Sequence, residues 1–109
     1  MSASSLLTYL AHVVSHASLH TADPGDDGAN EVTGGGYRRA TVRFNPPLDG
    51  IITNLTEVNF DDLPNLTANF LGLWAGEWFL WSNPLLGPVV VENGGTLRVY
   101  EGKLNFVMD

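Results

Sequence analysis

Three histidines stand four residues apart, His12, His16 and His20. On one continuous helix they would share a face, and imidazoles gathered on one face are the usual start of a zinc site. The segment His12-Val13-Val14-Ser15-His16 lacks the glutamate of the HExxH pattern, so no general base comes with it. Residues 17–22 (ASLHTA) alternate like a strand, which would swing His20 away from the other two. The three are therefore read as ordinary surface or interface histidines.

The acidic groups give a similar answer. Asp23, Asp26, Asp27, Asn30 and Glu31 supply oxygens suited to Ca²⁺, but their spacing is not the alternating set with a distal Glu of an EF-hand. A solvated loop held by Asx turns is the preferred reading. Asp26-Asp27 and Asp61-Asp62 are adjacent pairs in loops, so their carboxylates point apart and do not flank a substrate as a glycosidase pair does. Gly34-Gly35-Gly36 precedes a strand, not a helix, and carries no following Lys-Ser/Thr, so it is no phosphate loop. No nucleophile elbow, Walker loop or dinucleotide fingerprint occurs. The chain is expected to be no enzyme and to use no cofactor and no metal.

Composition narrows the classes further. The net charge is −7 with five Lys and Arg in 109 residues, whereas phosphate contacts need clustered cations, so no nucleic-acid partner is expected. No apolar run approaches the ~20 residues of a membrane helix, and no membrane partner is expected. Residues 1–14 hold an apolar run without a basic n-region, unlike a signal peptide. There are no cysteines, hence no disulfide framework and no thiolate. Charged residues make up 16% of the chain, below the ordinary ~25%; with 12 Gly and 6 Pro this suits short strands joined by turns, and it leaves neutral surface fit for an assembly.

The elements follow from periodicity. One domain over 1–109 is expected, a helix over 2–16 followed by a β-rich body over 17–109. In the helix Leu6, Leu7, Leu10, Val13 and Val14 form one apolar stripe. A helix this short needs a surface to pack on, its own sheet or a neighbouring subunit. Residues 23–36 form a long loop. In residues 37–44, Ala40, Val42 and Phe44 point one way while Arg39, Thr41 and Arg43 point the other. The Arg39/Arg43 face is either solvated or bridges to an acidic group of the next copy. Residues 51–60 are read as one strand ended by Asp61-Asp62-Leu63-Pro64-Asn65. Pro84 to Pro88 is read as Pro/Gly punctuation between strands, and Glu92-Asn93-Gly94-Gly95 as a turn. Strands recur every ten residues or so, as in a mainly β fold: a small antiparallel β-sandwich or partly open barrel with one N-terminal helix.

The densest apolar stretch is residues 69–83, NFLGLWAGEWFLWSN, with all three tryptophans. It reads as a hairpin turning at Ala75-Gly76-Glu77, which would set Trp74 opposite Trp78. Both faces are then apolar, so both need cover: the facing sheet on one, and the helix or another subunit on the other. Leu6, Leu10, Val13, Arg39, Arg43, Trp74 and Trp78 are the interface candidates. An aromatic platform for sugars or a host receptor is the alternative use of the same hairpin.

Residues 17–39, ASLHTADPGDDGANEVTGGGYRR, resemble a family of small tailed-bacteriophage virion proteins of tail-fibre-like, minor tail or head-decoration type. The likeness runs on through Leu73-Trp74, Leu80-Trp81 and Pro84-Leu85, then Gly95-Thr96-Leu97 and Gly102-Lys103-Leu104. The resemblance implies a structural protein of the virion, made in the host cytoplasm. It would assemble as a homo-oligomer on phage major capsid or tail proteins, as a head-decoration, capsid-stabilising or minor tail component.

Overall fold

A computed structural model describes residues 9, 11–46, 48–102 and 105–107, the last three by main chain alone. The architecture is mainly β, built of antiparallel strands with one short helical segment and no closed barrel. Eight strands follow in chain order: β1 (His16–His20), β2 (Ala40–Thr41), β3 (Ile51–Thr53), β4 (Val58–Leu63), β5 (Leu66–Ala75), β6 (Trp78–Val91), β7 (Gly95–Val99) and β8 (Asn105–Val107). The largest sheet has four strands in the order β2-β1-β5-β6, and two pairs, β3-β8 and β4-β7, stand apart from it.

The N-terminal helix is shorter at its end than the apolar stripe predicts. Helical geometry stops at residue 13, and His16 already opens β1. The backbone N–H of Ser15 donates to the Trp74 carbonyl, which commits the chain to the sheet before His16. Leu6 and Leu10 lie outside the described residues, and Val13 is half-buried.

β1 is covered on both faces. Ala17 and Leu19 point into the apolar core with Leu71 and Leu73 of β5, together with Ile52, Val58, Phe60, Leu63 and Leu97. Ser18 and His20 point the other way and are also fully buried. Because β2 spans two residues, most of β1's outer edge is completed by other groups. The Tyr37 hydroxyl accepts from Leu19 N–H at 3.1 Å. The Leu19 carbonyl accepts from Val32 N–H, and Thr21 N–H donates to the Asn30 carbonyl. The long loop thus returns as a makeshift fifth strand, which satisfies buried backbone groups.

Three sequence expectations change in detail. Residues 51–60 are two strands, not one: β3 ends at Thr53, and β4 begins at Val58 and runs through Asp61-Asp62 to Leu63. Between them the fully buried Asn54 donates through its side-chain amide to the carbonyls of Thr56 and Tyr100. β4 ends at Leu63, inside the break read over residues 61–65, and Asp62 takes a positive φ of 53° within it, at a register shift between Phe60 and Leu63. Residues 84–88 are no loop, since β6 runs unbroken from Trp78 to Val91. Phe70 pairs with Pro84 and Ala68 with Val89, so β5 advances two residues while β6 advances five. The surplus residues bulge outward, as a strand does when it carries more residues than its partner.

The hairpin turn is one residue tighter than expected. Ala75 pairs with Trp78, leaving Gly76-Glu77 as a two-residue loop with Gly76 at φ 58°, the backbone that a tight hairpin requires. In that register Trp74 stands opposite Phe79 and not opposite Trp78, and a second bulge follows at once, setting Leu73 opposite Trp81.

Candidate functional site

Two regions hold the side chains that chemistry or assembly would use. The first lies under the long loop, on the outer face of the four-stranded sheet. Gly72 of β5 faces Ser18 of β1 across the ladder. A Cβ at Gly72 would come within 2.6 Å of Ser18 Oγ, 2.8 Å of His20 Nε2 and 2.9 Å of Phe79 Cε1. The missing side chain is what lets these groups meet. Trp74 Nε1 donates to Ser18 Oγ at 2.8 Å, and Ser18 Oγ lies 2.6 Å from His20 Nε2. His20 Nδ1 sits 2.7 Å from the Ala29 carbonyl, which can only accept. The ring proton is therefore on Nδ1, and Nε2 accepts from the Ser18 hydroxyl.

A serine hydrogen-bonded to a histidine is the geometry of an activated nucleophile. Here Ser18 is fully buried, and its oxygen is already held by the Trp74 indole, so the pair works as a structural tie. Burial first of all pushes the His20 pKa below its ordinary 6.5, against the raising influence of the Ala29 carbonyl and of Glu31. His20 is thus not a surface histidine. His12 is exposed on the helical segment, and His16 accepts or donates at Ser15 Oγ, 2.8 Å away. Among the described residues no group of three metal-ligating side chains comes together.

The loop that covers this cluster is pinned by Asx turns, with Asp23 Oδ1 accepting from Gly25 N–H and Asp27 Oδ1 from Ala29 N–H. Gly28 lies against the Trp74 ring, where an added Cβ would stand 2.7 Å from the nearest ring carbon. Glu31 then reaches Arg39 through two bonds, of 3.0 Å to Nε and 2.9 Å to Nη2, and accepts the Tyr37 hydroxyl at 2.7 Å. Burial works to raise the Glu31 pKa, but the bonds from Arg39 and Tyr37 outweigh it and hold the carboxyl below its ordinary 4.5. The Tyr37 hydroxyl is pushed up, by burial first and by Glu31 second. Trp74, only 6% exposed, is covered by Gly28 of the chain's own loop and by Arg39. Arg39 spends its guanidinium inside its own chain.

The second region is open. Trp78, at the hairpin tip, is 77% exposed. Farther along β6, Leu86 is fully exposed and Val90 is 75% exposed. Among the described residues β6 is the edge of its sheet and β7 the partner of β4. Between these two strands runs a groove of about 560 Å³, floored by Leu71 and Leu97 and walled by Leu85, Leu86, Val89 and Val99. The one charged residue among the described lining, Arg98, is turned toward β4, with Nε 3.0 Å from Asn59 Oδ1 and 3.5 Å from Glu57. Arg43 is exposed on the other side of the molecule, beside a polar cleft that also takes in His12 and His16. The structure therefore does not gather Val13, Arg43, Trp74 and Trp78 on one patch.

Of the exposed residues of β6, Trp78 was a sequence candidate but Leu86 and Val90 were not, although a signal was present. Residues 78–91 contain no charged side chain, and a run of that length on an exposed edge is unusual in soluble chains, which blunt such edges with charge.

None of the curated proteins matches the chain. A family model described as "Podophage GP4 fiber I protein gp80" matches residues 8–107. With nearly its whole length inside that match, the chain belongs to this family of tailed-phage tail-fibre proteins, and it is a structural component of the virion made in the host cell.

Proposed function

We propose that the chain is a tail-fibre subunit that works in several copies, joined to one another and to tail proteins by burial of apolar surface and not by catalysis. The observation that carries this is the uncharged, exposed edge of β6, with Leu86 and Val90 in solvent. Apolar area removed from water stabilises by roughly 25 cal/mol per Å², and a chain of net charge −7 associates with its own kind most readily where no charge must be brought together. A tail position is preferred over head decoration because the matching family is one of fibres. The test is light scattering on the purified chain, together with co-sedimentation on tails lacking this protein and on empty heads. A multimer that binds the tails is the expected result. A monomer that binds neither particle would overturn the proposal, and binding to heads alone would return the chain to a decoration role.

One observation favours a second use. Trp78 presents its indole at the tip of a rigid hairpin, an arrangement that suits stacking on the apolar face of a sugar ring. Quenching or blue shift of tryptophan emission on adding host surface glycans, lost in Trp78→Ala, would establish receptor binding. An unchanged spectrum would remove it.

A further inference from the structure

The assembly just proposed leaves open how two copies meet, and the groove between β6 and β7 bears on that. Its walls belong to different sheets: among the described residues β6 pairs in its sheet with β5, and β7 with β4. Its floor is core, since Leu71 and Leu97 are 2% and 7% exposed. A groove of this form is a gap in the fold, wide enough for an extended chain and offering strand edges on its walls. Extended segments bind such edges by adding a strand, with main-chain bonds giving affinity and alternate side chains entering the groove.

The chemistry of the lining restricts the occupant. Arg98 is engaged by Asn59 and Glu57, so among the described residues the groove holds no spare charge to receive an acidic or basic segment, and burying an unpaired charge is costly. The occupant must be uncharged, apolar and already extended. Among the described residues the run that meets all three conditions is residues 85–91, LLGPVVV, whose residues 86–90 are exposed while Leu85 is half-buried and Val91 is buried.

We propose that the groove takes residues 85–91 of a second copy of this chain as an added antiparallel strand. This inference rests on the multi-copy reading above. The same segment then lies on both sides of the contact, giving the self-complementary, two-fold interface most common among oligomers. Pro84 and Pro88 have no N–H to give, so the donors are those N–H groups of residues 85–87 and 89–91 that point away from β5. Val90 and Leu86, now in water, become buried against the partner's groove. The acidic loop at residues 23–31 takes no part in the contact.

The chain has no cysteine, which makes single-cysteine cross-linking a clean test. Antiparallel pairing of residues 85–91 sets Val90 opposite Leu86 of the partner copy, so Val90→Cys is mixed with Leu86→Cys and compared with Leu48→Cys, a position that is 74% exposed and outside the groove. Under mild oxidation the Val90→Cys and Leu86→Cys mixture is expected to form disulfide dimers at least about tenfold faster, because pairing holds the two thiols at a roughly millimolar effective concentration. Val90→Lys is expected to shift the chain to monomer in light scattering with an unchanged circular dichroism spectrum, and Leu48→Lys to leave the assembly intact. If the wild-type chain is a multimer that survives Val90→Lys, and the Val90→Cys and Leu86→Cys mixture cross-links no faster than Leu48→Cys, strand addition is wrong while multi-copy assembly stands. If the wild-type chain is monomeric at every concentration, both the pairing and the multi-copy reading fall.

Discussion

The guanidinium carbon of Arg39 lies 3.4 Å from the centroid of the Trp74 ring. The same guanidinium grips Glu31 by two nitrogens, so one side chain clamps the long loop onto the largest aromatic group of the sheet. Guanidinium planes stack on aromatic faces while keeping their in-plane donors for carboxylates, which an ammonium cannot do. Arg39→Ala is expected to lower the unfolding free energy by about 2 kcal/mol, the scale of losing charge-assisted hydrogen bonds at a half-buried site. Arg39→Lys recovers less than half of that. Urea denaturation of the three chains checks it, and equal stability of the Ala and wild-type chains would show that the clamp is idle.

Gly72 and Gly76 make a paired comparison. An added methyl at Gly72 meets three heavy atoms within 3 Å, while one at Gly76 meets nothing within 4 Å but must sit at a φ of 58°. Gly72→Ala is expected to cost about 1–3 kcal/mol through overpacking of Ser18, His20 and Phe79. Gly76→Ala is expected to cost about 1 kcal/mol, from backbone strain alone. Thermal melts would show the larger fall for Gly72→Ala; the reverse order would mean that the cluster under the loop repacks freely.

Acid should weaken the fold in two stages. His20 titrates below its ordinary 6.5 in the folded chain because burial disfavours the imidazolium. The unfolded chain therefore binds the proton first, and stability falls as the pH drops through and below 6.5. Protonation also turns Nε2 into a donor, so the Ser18 hydroxyl loses its acceptor. Glu31 is held below its ordinary 4.5; its contribution is present above that value and is lost as the pH falls farther. Denaturant midpoints measured between pH 8 and pH 3 are expected to show both declines, and His20→Asn to remove the upper one. A midpoint flat from pH 8 to pH 5 in the wild-type chain would contradict the assignment of His20.

The two hairpin tryptophans should behave as opposites. Trp74→Ala empties a packed site and is expected to cost about 3–5 kcal/mol, whereas Trp78→Ala changes an exposed tip and stays within about 0.5 kcal/mol. Acrylamide should quench Trp78 readily and Trp74 poorly. Equal losses from the two replacements would mean that Trp78 has cover in solution, as a multimer contact at the tip would provide.

Where period alone decides structure, the sequence spoke clearly. Ala40, Val42 and Phe44 alternate, and all three are buried. The turn formers of residues 23–36 do make a loop, and its aspartates make the Asx turns that their type suggests. Errors came where one residue changes a pairing. A two-residue turn in place of three moved Trp74 from Trp78 to Phe79. Pro84 and Pro88 read as a break because proline seldom sits inside a sheet, yet an edge strand with a bulge accommodates both. The union of Glu31, Tyr37, Arg39 and Trp74 left no mark in the sequence. It joins a loop to a strand through tertiary contact, with no fixed spacing to betray it.

The prolines of β6 have one more effect. An edge rich in leucine and valine is a template onto which any extended chain can add, and copies waiting in a crowded cell would be at risk of running into fibrous aggregates. Pro84 and Pro88 interrupt the row of donors, and the four residues between Pro84 and Val89 buckle the strand. A ladder begun on this edge is therefore short and stops by itself. Such an edge is too irregular to seed an endless stack, which limits the aggregation that its leucines and valines would otherwise invite.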